Sequence, residues 1–176
     1  MSSAILDNTI YKLIVLFVFD KMEIPITEKT LLDLCSTDNN WLNYMECKET
    51  LSGLIDAGFV YHSDDSANGK LYSITPDGRL CLSHFFIRIP STLREAIAEY
   101  VKSNRIKYRK KQEYFSDYFK NPDGTYTVVL KIIEPGRPLL DLKLNVADRH
   151  KAKWIFKNWE ENAPQIYSAL YSMLVE

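Results

Sequence analysis

Cysteine is scarce in this chain, and its three copies, Cys35, Cys47 and Cys81, include no CxxC pair. An odd count without close pairs excludes a disulfide framework. His62, His84 and His150 are scattered, so the paired ligands that structural zinc needs are missing too. The expectation is three buried thiols in a reducing cytoplasm. Long apolar runs are absent. The most apolar stretch, Leu13 to Phe19, is ended by Asp20 and Lys21, far short of the roughly 18 residues a membrane span requires. The N-terminus lacks a basic region and a small-residue cleavage site, so no signal peptide is expected. Catalytic signatures are missing as well. Gly69 and Gly78 belong to neither a GxxxxGK[ST] nor a GxGxxG loop, and no GxSxG or HExxH occurs. Asp64 and Asp65 form a poor metal cage without a third ligand nearby. The reading is therefore no enzyme, no catalytic residue, no metal, no cofactor and no membrane partner.

What is present is a well-stocked core. Of the 176 residues, 46% are hydrophobic, ample for one ordinary domain or two small ones. Ile10, Leu13, Ile14, Phe17 and Val18 repeat with helical spacing after the capping residues Asp7 and Asn8. Ile24 to Thr27, broken by Pro25, reads as a short edge strand. Thr27 caps a second helix with Leu31, Leu32, Leu34 and Cys35. Ser36 to Asn40 is a turn. A third helix is predicted from Trp41 to about Ala57, with Tyr44, Cys47, Leu51, Leu54 and Ile55 on its inner face and Gly58 as a left-handed terminator. Trp41 is expected to pack as core or staple. Residues 59–62 and 71–74 pair as a hairpin around a polar tip ending in Asn68 and Gly69. Thr75 and Pro76 open a fourth helix with Leu80, Cys81, Leu82, Phe85 and Phe86 inward.

Ser91 then caps a long helix with Leu93, Ala96, Ile97, Tyr100 and Val101 inward. Its end carries Lys102, Arg105, Lys107, Arg109, Lys110 and Lys111. Period-two strands follow near residues 113–119, 125–133 and 138–146, joined by turns at 121–124 and 134–137. A helix from Asp148 to Trp159 and another opened by Pro164, with Ile166, Leu170, Met173 and Leu174 on one face, complete the chain. The fold class is α+β: a winged helix-turn-helix over residues 1–88, then, over 89–176, a linker helix and a small α+β unit with a three-stranded antiparallel meander and two C-terminal helices.

The winged-helix assignment also rests on a resemblance. Leu51, Ser52, Gly53 and Leu54, then Gly58, Phe59 and Val60, then Tyr72 to Arg79 with its Thr-x-x-Gly-Arg step, resemble the core of PadR- and MarR-type bacterial regulators. The match covers under half the chain. The whole chain is similar to an uncharacterised Firmicutes family of winged-helix proteins, catalogued as a domain of unknown function. The residues are Ile24 to Thr27, Arg88 to Pro90, Leu140 to Val146, and Trp159 with Asn162 to Pro164. The resemblance implies a transcriptional regulator that contacts double-stranded DNA. It names no operator, effector or catalytic site.

In a helix-turn-helix the second helix enters the major groove. The residues expected there are Asn40, Asn43, Tyr44, Lys48 and Thr50, with Glu46 and Glu49 beside them; Asn can pair with adenine and Glu can accept from cytosine. Asn68 and Lys70 are the wing candidates. Lys102, Arg105, Lys107 and Arg109 are candidate phosphate contacts across a homodimer. Charge opposes this reading. Through Arg88 the chain holds 7 Lys and Arg against 12 Asp and Glu, and beyond it 15 against 11. Because phosphate contacts supply much of DNA affinity, an acidic winged helix equally fits a protein-interaction module without sequence-specific DNA binding. Trp154 and Trp159 could border a ligand pocket between the meander and the last helices; core packing is the expectation for both.

Overall fold

An uninterrupted run of seven apolar residues, Leu13 to Phe19, lies wholly buried at the centre of the first helix, α1 (Asn8–Met22). The periodicity predicted a stripe, but every side of this helix is covered, so it is a core element rather than a surface one. The computed structural model describes residues 8–65, 69–134 and 137–175; Asp7, Asn68 and the 135–136 turn lie outside them. The chain divides into two units, with the break inside a long helix after Tyr108.

In the first unit, Glu23, with a φ of 62°, ends α1. Strand β1 (Ile26–Thr27) pairs antiparallel with β3 (Gly69–Ile74), Ile26 opposite Tyr72, and β2 (Val60–Asp65) lies on the other side of β3. The Thr27 hydroxyl accepts from the Thr30 amide at 3.1 Å and so caps α2 (Glu28–Leu32), which widens into a π-helical turn over Asp33–Thr37. Two amides, Trp41 and Leu42, both donate to the Cys35 carbonyl, at 2.8 and 3.1 Å. That bonding holds 41–42 out of any helix. Helix α3 (Tyr44–Asp56) therefore begins later than predicted, at an Asn43 cap whose Oδ1 accepts from the Glu46 amide at 2.8 Å while Glu46 Oε2 accepts from the Asn43 amide at 3.0 Å.

The end of α3 and the start of α4 (Pro76–Phe85) are locked together. Gly58 has a φ of 76°, as its terminator position requires. Thr75 accepts from the Gly78 amide at 3.0 Å, donates its hydroxyl to the Gly58 carbonyl at 2.8 Å, and donates its own amide to the Phe59 carbonyl at 3.0 Å. A Cβ on Gly78 would overlap that same Phe59 carbonyl oxygen. Gly58, Phe59, Thr75 and Gly78 of these two steps are thus held by bonding and close approach within the fold.

Helix α5 (Ser91–Glu113) was expected to belong to the second half, but through Tyr108 it packs with the first unit. Ile97, Val101 and Tyr108 are buried there, whereas Ala96 faces outward. The Tyr108 hydroxyl donates to Asp38, in the turn before α3, and sits 2.9 Å from the Tyr100 hydroxyl. Burial, then Asp38 and Tyr100, push its pKa far above the ordinary phenol value. Trp41 meets Tyr100 edge to face at 5.9 Å, as core packing predicts. Tyr108→Phe is expected to lower stability by about 1–2 kcal/mol, because Asp38 would lose a buried donor. Urea denaturation midpoints of the two proteins check this; an unchanged midpoint would mean that α5 is not anchored through this bond.

The second unit holds a three-stranded antiparallel sheet, β4 (Tyr114–Lys120), β5 (Tyr126–Glu134) and β6 (Arg137–Val146), in sequential order. Its alternation places Val128, Leu130 and Ile132 against α6 (Arg149–Val175). The sequence predicted two helices here, divided at Pro164. The structure shows one helix running through that proline. The missing amide removes the bond to the Glu160 carbonyl, yet Ala163 is buried against the sheet on the same stripe as Ala152 and Trp159. The packed stripe continues across the proline and carries the helix with it.

Candidate functional site

The outer side of α3 is where the sequence located its contacts, and the structure sorts them. Asn40, with a φ of 53°, and Tyr44, 52% exposed, are on the surface. Tyr44 was also expected on the inner face; at the first position of α3 it is instead exposed, and the buried stripe is Cys47, Thr50, Leu51 and Leu54. Thr50 is correspondingly only 7% exposed, which removes it from any surface contact. Asn43 is exposed, but its side-chain oxygen is committed to the cap. Glu46 is committed twice over, since its other oxygen accepts from the Tyr11 hydroxyl at 3.2 Å. Burial, followed by that bond and the Glu46 charge, raises the Tyr11 pKa.

Lys48 is the cation of this helix, and it lies 3.5 Å from Glu28 and over the Tyr44 ring at 5.5 Å. Glu28 is the chief reason its pKa is raised. No sequence signal linked these residues: they are 20 positions apart, at the start of one helix and in the first turns of another. Met45, 60% exposed beside Tyr44, was also missed. Lys70 is exposed on β3, and Asn68 is outside the described residues.

The basic stretch of α5 is not one continuous face. Lys102 and Lys107 are exposed. Arg105 is half-buried, 2.7 Å from Glu23 and donating to the Lys21 carbonyl at 3.4 Å, so it staples α5 to the end of α1. Arg109 belongs to the second unit and lies 3.4 Å from Glu113.

Cys35 and Cys47 are fully buried between α2 and α3, where the hydrogen bond to Cys47 and then burial push the Cys35 thiol well up. The same hydrogen bond with Cys35 lowers the Cys47 thiol. Cys81 is half-buried, against the expectation of full burial. Among the described residues no three His, Cys, Asp or Glu side chains gather as a metal cluster. A cleft of about 220 Å³ lined by Phe19, Glu23, Ile24, Tyr61, Ile74 and Arg79 is smaller than ordinary ligand pockets. In the second unit Trp159 fills the space between helix and sheet and donates its indole N–H to the Lys131 carbonyl at 3.1 Å. Trp154, expected in the core, is instead 65% exposed.

Together these features define a mixed helix-and-sheet protein whose first unit presents a capped helix, α3, with a polar and partly aromatic outer side. No described helix is long and apolar enough to cross a membrane. The chain belongs to the family described as Domain of unknown function (DUF4364), whose model matches residues 11–174. No curated protein and no solved structure matches it at a significant level.

Proposed function

We propose that the first unit is a winged helix-turn-helix that binds duplex DNA, and that the protein is a transcriptional regulator. The observation that carries this is the element order α1, β1, α2, α3, β2, β3, in which the π-helical turn and residues 38–43 join α2 to α3 and the β2–β3 hairpin follows as a wing. In this reading α3 enters the major groove with Asn40, Tyr44 and Lys48, and Lys70 of the wing contacts phosphate. Lys48 must exchange Glu28 for the DNA backbone, so Glu28 restrains affinity and accounts for part of the weakness expected of an acidic reader.

A second reading, a winged helix used for protein contacts, is favoured by the exposed Tyr44 and Met45 at the head of α3. The two readings separate on one experiment. Fragments of sheared genomic DNA are selected by the purified protein at about 50 and about 200 mM salt, and the enriched site is titrated with variants. Lys48→Ala and Lys70→Ala are each expected to reduce the slope of log affinity against log salt by about one. Glu28→Gln is expected to raise affinity about three- to tenfold at the lower salt, by releasing Lys48 and removing a like charge near the phosphates. Absence of any enriched site, or binding indifferent to all three changes, would sink the DNA reading.

A further inference from the structure

Helix α6 begins with charge placed where it weakens a helix. Its first nine residues hold five basic side chains, Arg149, His150, Lys151, Lys153 and Lys157, and no acidic one. The positive end of a helix dipole disfavours cations, and Arg149, Lys153 and Lys157 stand four residues apart, so each repels the next. All five side chains are exposed. Lys151 lies 3.9 Å from Asp148, but among the described residues no carboxylate comes within ion-pair distance of Arg149, Lys153 or Lys157. Trp154 stands in their midst, 65% exposed. Its neighbours three and four positions along the helix are His150, Lys151, Lys157 and Asn158, and the Asn158 amide donates to the Trp154 carbonyl at 2.8 Å. The core of the unit draws instead on Ala152, Ile155 and Trp159 from the same turns.

We propose that this face of α6 binds single-stranded nucleic acid, the row Arg149, Lys153 and Lys157 holding phosphates and Trp154 stacking on a base. Unpaired cations in excess select a polyanion. The row advances roughly 6 Å per step along the helix axis, so its members can take separate phosphates. An open indole ring framed by cations suits unpaired bases, whose faces are free, whereas in a duplex each base is already covered by its neighbours. A lipid surface is disfavoured by the packing. A helix lying among headgroups needs a free apolar side, and the apolar side of these turns is packed on the sheet. The inference uses only the second unit and goes beyond the duplex reading given to α3.

Anisotropy of a fluorescein-labelled thymidine oligonucleotide of about 20 nucleotides, titrated with the full chain, tests it. The wild type is expected to bind with micromolar affinity at about 50 mM salt, and three phosphate contacts give a slope of log affinity against log salt of about −2. Lys153→Gln and Lys157→Gln together are expected to weaken binding about tenfold or more and to flatten that slope by about 1.4. Trp154→Ala is expected to weaken binding about five- to a hundredfold with the slope unchanged, and Trp154→Phe to recover most of the loss. Lys48→Ala, in the first unit, is expected to leave the affinity within about twofold. Circular dichroism confirms that these variants, all at exposed sites, remain folded. No binding up to about 100 µM overturns the proposal, and so does binding indifferent to the α6 substitutions. The corresponding duplex, bound as tightly and lost on the same α6 substitutions, would overturn the assignment to single strands. Flotation with phosphatidylcholine–phosphatidylglycerol vesicles without oligonucleotide binding, abolished by those substitutions, would overturn it in favour of a lipid surface.

Discussion

Gly78→Ala is expected to destabilise the first unit by about 3 kcal/mol, the upper part of the range for forced overpacking. The sign is the informative part. Gly78 lies in the first turn of α4 without a left-handed φ, and alanine is the better helix former by roughly 1 kcal/mol, so local propensity predicts a gain. The tertiary structure reverses it. An alanine Cβ would overlap the Phe59 carbonyl oxygen and come within 2.9 Å of Ile74 Cγ1. The Phe59 carbonyl cannot move aside without loosening its bond from the Thr75 amide, which ties the hairpin to the end of α3. Gly53→Ala is the matched control. There the nearest neighbour of a new Cβ is Lys12 Cε, a flexible chain end at 3.4 Å, and the change is expected to stabilise by about 0.5–1 kcal/mol. Paired urea titrations with opposite signs would establish the close approach. A neutral or stabilising Gly78→Ala would mean that the α4 start sits further from Phe59.

Trp159→Ala is the second large effect, about 3–5 kcal/mol lost from the second unit. The ring is 2% exposed and is the largest side chain between α6 and the sheet, flanked by the small Ala152 and Ala163, which let the helix approach closely. Truncation leaves a cavity that two alanines cannot fill and strips the Lys131 carbonyl of its indole donor. Trp159→Phe separates the two losses: it keeps most of the volume and is expected to cost about 1–2 kcal/mol through the lost indole hydrogen bond. The readout is the denaturation midpoint followed by far-ultraviolet circular dichroism. A loss under about 1 kcal/mol for the alanine variant would show that α6 does not close over the sheet.

Local chemistry made much of the architecture legible. Thr27, Thr75 with Pro76, and Gly58 each mark an element boundary found where it was expected, because capping and left-handed termination are decided within three or four residues. The meander was equally readable, since period-two alternation and turn residues are local signals. Trp41 packs as expected. The misses occurred where a distant contact outweighed the local pattern. Pro164 reads as a helix opener in isolation and lies inside α6 because Ala163 is held on the sheet. Tyr44 is exposed at the first position of α3 and Thr50 is buried, because which side chains are covered depends on the surfaces that pack against the helix and not on its period alone.

The candidate DNA-facing residues show the same division more sharply. Residue type and helix position nominated Asn43, Lys48, Thr50 and Arg105. Asn43 is committed to its own capping box and Thr50 is buried, whereas Lys48 and Arg105 are engaged by Glu28 and Glu23, 20 and 82 positions away, which no spacing argument connects to them.

From sequence alone came the α+β class, most element boundaries, the family resemblance and the uneven charge between the halves. These rest on hydrophobic period, capping and composition, all properties of a few neighbouring residues or of their sum. The close approach at Gly78, the continuity of α6 through Pro164 and the pairing of Lys48 with Glu28 were decided by tertiary structure. Each depends on which surfaces meet once the chain has closed on itself, and packing energy exceeds local preference wherever the two disagree.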